Sequence, residues 1–349
     1  MFTVTDLFPG ALVDMSNALA INDGGVVVGN DIGGFGRIWI PNNPNGTSGN
    51  EFSLPTDISP GLRPVVKSMP LAINSVGVVV GVCTTVDIND NDVTRAFSFT
   101  PGNNFLVDLG TFNIDPVTGA ALRTSTAQGI NDAGQIVGAA EDANGVSKAF
   151  ILQPGASALT DLLGSHEPSD ARAITGRTAV GSATFFDAAG VERRQAYSAD
   201  VVAGTFTILG TLLPDALHPG QFFGNSSANA VSPNGTIVGS SDALPPVIMM
   251  GVIYAFPAIP FGPLPSEALG VSSAPFVEKV VGRFWPNPPD QATAGFVFDS
   301  SSGMLDLNTQ INDPDWHVDS ATGVNAKGQI SAIGTHKNLG GPRGILLTP

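Results

Sequence analysis

The 349 residues carry 15 Lys and Arg against 30 Asp and Glu, a net charge of −15, with 42 Gly, 27 Pro and a single Cys. Gly and Pro at about a fifth of the chain exclude long helices, and a hydrophobic share of 42% excludes wholesale disorder. The acidic balance excludes a nucleic-acid backbone or an anionic membrane as partner of the whole surface, and one cysteine excludes an internal disulfide.

Met1 leads directly into FTVTDLF, without a basic segment or an apolar signal core. No run reaches the ~18 apolar residues of a spanning helix. Few lysines, many Gly, Ser, Thr and Asn, and the low isoelectric point lean toward an extracellular or cell-surface protein whose signal has been removed. A cytoplasmic protein is the alternative.

One phrase recurs seven times along the chain. It reads NALAINDGGVVVGN from Asn17, MPLAINSVGVVVGV from Met69, TAQGINDAGQIVGA from Thr126 and DARAITGRTAVGSA from Asp170. It continues as SANAVSPNGTIVGS from Ser227, EALGVSSAPFVEKVVGR from Glu267 and SATGVNAKGQISAI from Ser320. Repetition at about fifty residues marks a radial or stacked repeat architecture.

Each unit predicts four strands. The first is Ala-x-Ala/Gly-Ile/Val, followed by a turn such as Asn-Asp-Gly-Gly or Ser-Pro-Asn-Gly, strong hairpin chemistry. The second is Val-Val-Val-Gly or its like. The third is RIWI, RAFSF, KAFIL, QAYSA, IYAF, AGFVF or RGILL, and the fourth often carries Asp-Leu, as in LVDLG, LTDLLG and MLDLN. Apolar strands packed on both faces, repeated radially, predict an all-β chain: a seven-bladed β-propeller of four-stranded antiparallel blades. The blade cores fall near residues 15–58, 67–110, 124–164, 168–213, 225–264, 265–311 and 318–349 plus 2–8, in one domain spanning 1–349. The chain stops at GILLTP, a third strand, and opens on FTVTDLF, a fourth strand lacking its unit. The N-terminal strand is therefore expected to close the ring and remove exposed edges. An open solenoid is the alternative.

The phrase A-x-G-I-N-D-x-G-x-I-V-G with a following A-F resembles the HAF-type repeats of bacterial, often extracellular, proteins. The match spans all seven units, closest from Thr126 and poorest from Asp170 and Glu267. The resemblance implies a β-propeller and little about activity. No WD dipeptide or kelch double glycine recurs.

In a propeller, the loops between second and third strands and between blades share one face. The long segments Pro55 to Lys67, Val82 to Thr94, Gly110 to Thr124, Gly210 to Asn225 and Asn308 to Asp319 map there, where sites usually sit. So do His166, His218, His317 and His336, with Trp285, Trp316, Phe222 and Phe223, so this face is the expected ligand-binding face. A serine precedes six inner strands (Ser16, Ser68, Ser125, Ser169, Ser226, Ser266), with Asp319 in the seventh place. The serines read as strand-start residues bonding local backbone. Asp170, Arg172, Glu267 and Asp319 put charge at the channel mouth, as a ligand or proton-transfer site or as a structural ion-pair ring.

Asp87, Asn89 and Asn91 alternate oxygen side chains as calcium loops do. Yet Asp92 stands where glycine is expected and Arg95 where an acid is expected, so a solvated acidic loop fits better than a calcium site. Catalytic signatures such as G-x-S-x-G and H-E-x-x-H are absent, and Cys83 reads as a small core residue. The reading is a binding module for a glycan, peptide or protein on the long-loop face. The alternatives are an enzyme with a carboxylate/Arg pocket over the channel, for alkyl- or group-transfer, hydrolysis or elimination, and a surface-layer or filament component. Oligomer formation stays open.

Overall fold

The computed structural model describes residues 1–7, 15–61, 63–86, 91–113, 123–186, 190–211, 224–242, 247–249, 253–255, 266–273, 277–286 and 292–349. Apart from one 3-10 turn at Leu307–Thr309, every element there is a β-strand. Among the described residues no helix is long and apolar enough to cross a membrane.

The strands assemble into seven sheets in a propeller-like arrangement. The innermost strands are Met15–Ile21, Arg63–Ile73, Ser125–Ile130, Ser169–Thr175, Ser226–Val231, Ser266–Val271 and Trp316–Val324. Each lies against the next, and the last lies against the first. The expectation of a seven-bladed propeller with every blade a four-stranded antiparallel sheet is corrected. Five sheets are uninterrupted four-stranded antiparallel meanders. The second unit instead has five strands: Asp57–Ser59 pairs with both Arg63–Ile73 and, in parallel, Leu106–Asp108. Part of the expected Pro55 to Lys67 loop is therefore strand. Val82 to Thr94 is also mostly strand, being the paired ends of Val79–Val86 and Asp92–Phe99. In the fifth unit the third strand is Val247–Met249, and Ile253–Ala255, expected third, is fourth.

The last sheet takes its outer strand from the other end of the chain. Thr3–Asp6 pairs antiparallel with Pro342–Thr348. The Asp-Leu of fourth strands explains the fit. In the second unit Asp108 takes Arg63 and Arg95; in the third, Asp161 lies 3.7 Å from Lys148. Asp6 gives Arg343 the same partner at 3.3 Å.

Two devices explain the recurring phrase. First, every inner strand slips register by one residue, between Ala18 and Ala20 in the first unit and at the matching place in the other six. The bulge pushes a carbonyl toward the second strand, where a Cβ at Gly81 would lie 2.2 Å from the Met69 oxygen and one at Gly239 1.9 Å from the Ser227 oxygen. A side chain at these two positions would strike backbone, hence the Gly of Ile-Val-Gly in six units; the seventh carries Ala332 there.

Second, the Asn of Ile-Asn-Asp does more than turn its own hairpin. Asn74 Oδ1 accepts from Val78 N–H in its own turn, while Nδ2 donates to the Asn131 carbonyl of the next unit. Asn22 donates to the Asn74 carbonyl, Asn131 to that of Gly176, and Asn325 to that of Asn22. The following Asp reaches the opposite way: Asp132 accepts from Ser75 N–H and Asp23 from Ala326 N–H. Asn74→Ala strips a buried donor and a buried acceptor of their partners, so a loss of about 2 kcal/mol is expected. The urea midpoint checks it, and an unmoved midpoint would remove the belt from the stability argument.

The serines lock the other end. Ser68, Ser125, Ser169 and Ser226 Oγ accept from the N–H of Gly36, Ala96, Ala149 and Ala196, each on the third strand of the preceding unit. They bond a neighbouring unit rather than local backbone as expected.

Cys83 is buried, as its apolar surroundings predict. Burial, then the nearby Asp108 carboxylate, pushes its thiol up to about 12. The native protein at pH 8 should resist iodoacetamide and react once unfolded; rapid native labelling, read by intact mass, would contradict this burial.

Candidate active or binding site at the channel

Each bulge turns one side chain to the axis. In order around the channel these are Leu19, Leu71, Gln128, Arg172, Asn229, Leu269 and Thr322, all half-buried and all lining a cavity of about 210 Å³. Beyond it sits a ring of β-branched residues: Ile21, Ile73, Ile130, Ile174, Val231, Val271 and Val324. That ring opens on the short-turn face into a funnel of about 360 Å³, rimmed by Asp23, Asp132 and Ser273. An apolar cleft of about 520 Å³ between the first two units, lined by Ile38, Ile40, Phe52 and Phe99 among others, carries no titratable side chain.

The polar chemistry gathers on one wall, across the fourth to sixth units. Asp170 is 9% exposed. Its Oδ1 accepts from Ser182 N–H and Oγ at 2.9 Å each, and its Oδ2 from Arg172 and Arg194. The buried Tyr197 hydroxyl donates to the Asp170 carbonyl at 2.9 Å, and burial raises its phenol well above the usual range. Arg172 also donates to Asn229 Oδ1 at 2.6 Å. Asn229 Nδ2 donates onward to Glu267 Oε1 at 3.1 Å and to the Ala268 carbonyl. Glu267 Oε2 accepts from Arg283 at 2.9 Å, and that guanidinium lies 5.4 Å from the Trp285 ring. The arc is thus one continuous hydrogen-bonded chain with three guanidinium groups to two carboxylates, in a protein of net charge −15.

Of the charged candidates, Asp170, Arg172 and Glu267 come together, and Trp285 joins them through Arg283. Asp319 belongs to the seventh unit and, among the described residues, stands apart from the arc, beside His317 and Thr293. Burial raises its carboxyl above the usual range, against the opposing pull of His317, whose Nε2 is 3.7 Å away. His317 is exposed and also meets the Thr293 carbonyl at 3.1 Å. Trp316, expected as an exposed contact residue, is instead buried at 9% exposure, packed edge-on against His336. His166 is held between Phe185 and Phe206, with ring centroids 4.7 and 5.0 Å away. His218, Phe222, Phe223, Asp87 and Asn89 lie outside the described residues, and Asn91 is exposed. Among the described residues no group of three His, Cys, Asp or Glu is placed to hold a metal.

Sequence reasoning missed Asn229, Arg194, Ser182 and Arg283. Asn229 was detectable: it occupies the same repeat position as Arg172. Arg194 sits on a third strand and Arg283 on a second, and only the fold brings them to the wall.

Comparison with protein-family models and with curated proteins finds no match, so the likeness to HAF-type repeats stands on the quoted residues alone. Among solved structures, the chain is similar to the β-propeller domain of the Trilobed protease from Pyrococcus furiosus, at 12% identity over 81% of this chain and 82% of that one, TM-score 0.48. It is similar to a putative TolB from Agrobacterium tumefaciens, at 11% identity over 88% and 87%, TM-score 0.38. It is also similar to a puromycin-hydrolyzing peptidase of Mycobacterium tuberculosis, at 10% identity over 87% of this chain and 45% of that chain, TM-score 0.48.

Proposed function

We propose that the seven sheets act as the blades of one propeller, and that the chain is a binding module taking a glycan, peptide or protein ligand at the long-loop mouth of its channel. The engagement of both arc carboxylates carries this reading. Asp170 accepts from a backbone N–H, a hydroxyl and two guanidinium groups, and Glu267 from Arg283 and Asn229. Carboxylates so occupied hold arginines in place and are poorly placed to exchange protons with a substrate. The arginines retain unused N–H donors and are 30% to 40% exposed at the side chain. The low-lysine composition supports an extracellular or surface location.

The test is calorimetric titration of a glycan and peptide panel against the full chain and against Arg194→Gln. Binding that weakens at least tenfold in the variant is expected. A ligand that binds both proteins equally would move the site elsewhere.

A second reading, an enzyme, rests on Asp319, among the described residues the one carboxyl near the mouth that burial raises, with His317 beside it. Hydrolase screening would favour it if an activity appears whose pH profile shifts in Asp319→Asn.

A further inference from the structure

We infer that the channel is a site for a small amphiphilic carboxylate, its head on Arg172 and its hydrocarbon tail toward the Ile/Val ring. This deepens the binding reading and rests on it. The bulge ring is split into two poles. Gln128, Arg172 and Asn229 are consecutive on one side, and Leu269, Leu19 and Leu71, interrupted only by Thr322, occupy the other. Below them the wall is wholly aliphatic: Ile21, Ile130, Ile174, Val271 and Val324 line this cavity and the funnel beyond it alike. A ligand entering from the long-loop mouth meets one cationic pole first, then hydrocarbon.

Size narrows the class. A cavity of about 210 Å³ holds about seven water volumes, enough for a short alkanoate and too little for an oligosaccharide. Charge selects the head group. Arg172 spends Nε and one terminal nitrogen on Asp170 and the other on Asn229, which locks the plane of the guanidinium. Donors remain on both terminal nitrogens, the fork that matches a carboxylate. Asp170 is shared with Arg194, so the pole keeps a net positive charge even with its partner in place. Asn229 and Gln128 flank the head with amides that donate or accept.

The test is titration of the full chain with butyrate, pentanoate and hexanoate, and with 1-hexanol as the uncharged match. Affinity should rise about fourfold per added methylene, and hexanol should bind at least tenfold more weakly than hexanoate. Arg172→Gln should lower hexanoate affinity at least tenfold and leave hexanol unchanged. If that variant fails to fold, Leu269→Asn on the opposite wall should flatten the chain-length dependence while keeping preference for the carboxylate. Hexanoate binding no better than hexanol, or showing no saturation by 10 mM, would overturn the inference. Arg194-dependent binding of a panel glycan or peptide without alkanoate binding would sink this inference alone. No binding from either set would sink the module reading as well.

Discussion

Gly181→Ala should lower stability by about 3 kcal/mol, the upper end for forcing a group into a filled space. The added Cβ would sit 2.1 Å from the Asp170 carbonyl oxygen and 2.9 Å from the Ala171 Cα. Both are backbone atoms of the innermost strand, held by its ladder to the second strand, so neither can rotate away as a side chain would. Displacing the Asp170 carbonyl also breaks the Tyr197 hydrogen bond and carries the Asp170 carboxylate off its two arginines. Stability and ligand binding should therefore fall together. Gly340→Ala is the control, since nothing lies within 4 Å of its Cβ. Urea midpoints of the two variants decide the matter. If they lie together, the bulge is not what excludes side chains from the Ile-Val-Gly position.

Asp108→Ala should cost about 3–5 kcal/mol, the usual penalty for removing one partner of a buried ion pair. Arg95 is 1% exposed, with its Nε 3.5 Å from Asp108 Oδ2. It also donates to the carbonyls of Thr94 and Arg123. Asp108 also binds Arg63 at 2.8 Å and caps the Gly110 N–H, so its loss loosens three strands of the second unit. The double change Arg95→Leu with Asp108→Leu removes both charges and should recover much of the loss. Thermal unfolding of both proteins checks the sign. Equal destabilisation in single and double variants would mean that packing volume, rather than charge, sets the cost.

Much of this fold is written in the repeat. Seven copies of the recurring phrase predict seven hairpins because the turn chemistry is local. The terminal strands predict their own pairing because an orphan Asp-Leu strand and an orphan third strand complement each other. What escaped the sequence is what crosses between units. Asn74 reads as a turn residue, and its donation to Asn131, 57 residues on, has no local signature. The glycine of Ile-Val-Gly reads as a strand end until the bulge opposite it is known. The extra strand Asp57–Ser59 lay hidden in a segment read as loop, because Pro55 and Pro60 flank it. At the site, Asp170, Arg172 and Glu267 were legible as departures from the consensus. Arg194 and Arg283 were not, because an arginine on a second or third strand looks like a solvated one until the sheets are assembled. Trp316 misled for the opposite reason: an aromatic beside a histidine reads as a contact shelf, yet the pair packs inward.

The asparagine belt runs from the seventh unit through the third and then stops. Gly176 receives its last bond, and the fourth, fifth and sixth units carry Thr175, Ser232 and Ser272 where the others carry Asn. The same three units hold the arginine arc. A ring made by duplication begins with identical copies, each bound by the same closure rule. Here four units carry the asparagine and three do not. The circle is therefore held in two ways: one arc by asparagines that read the neighbouring backbone, the other by side-chain charge.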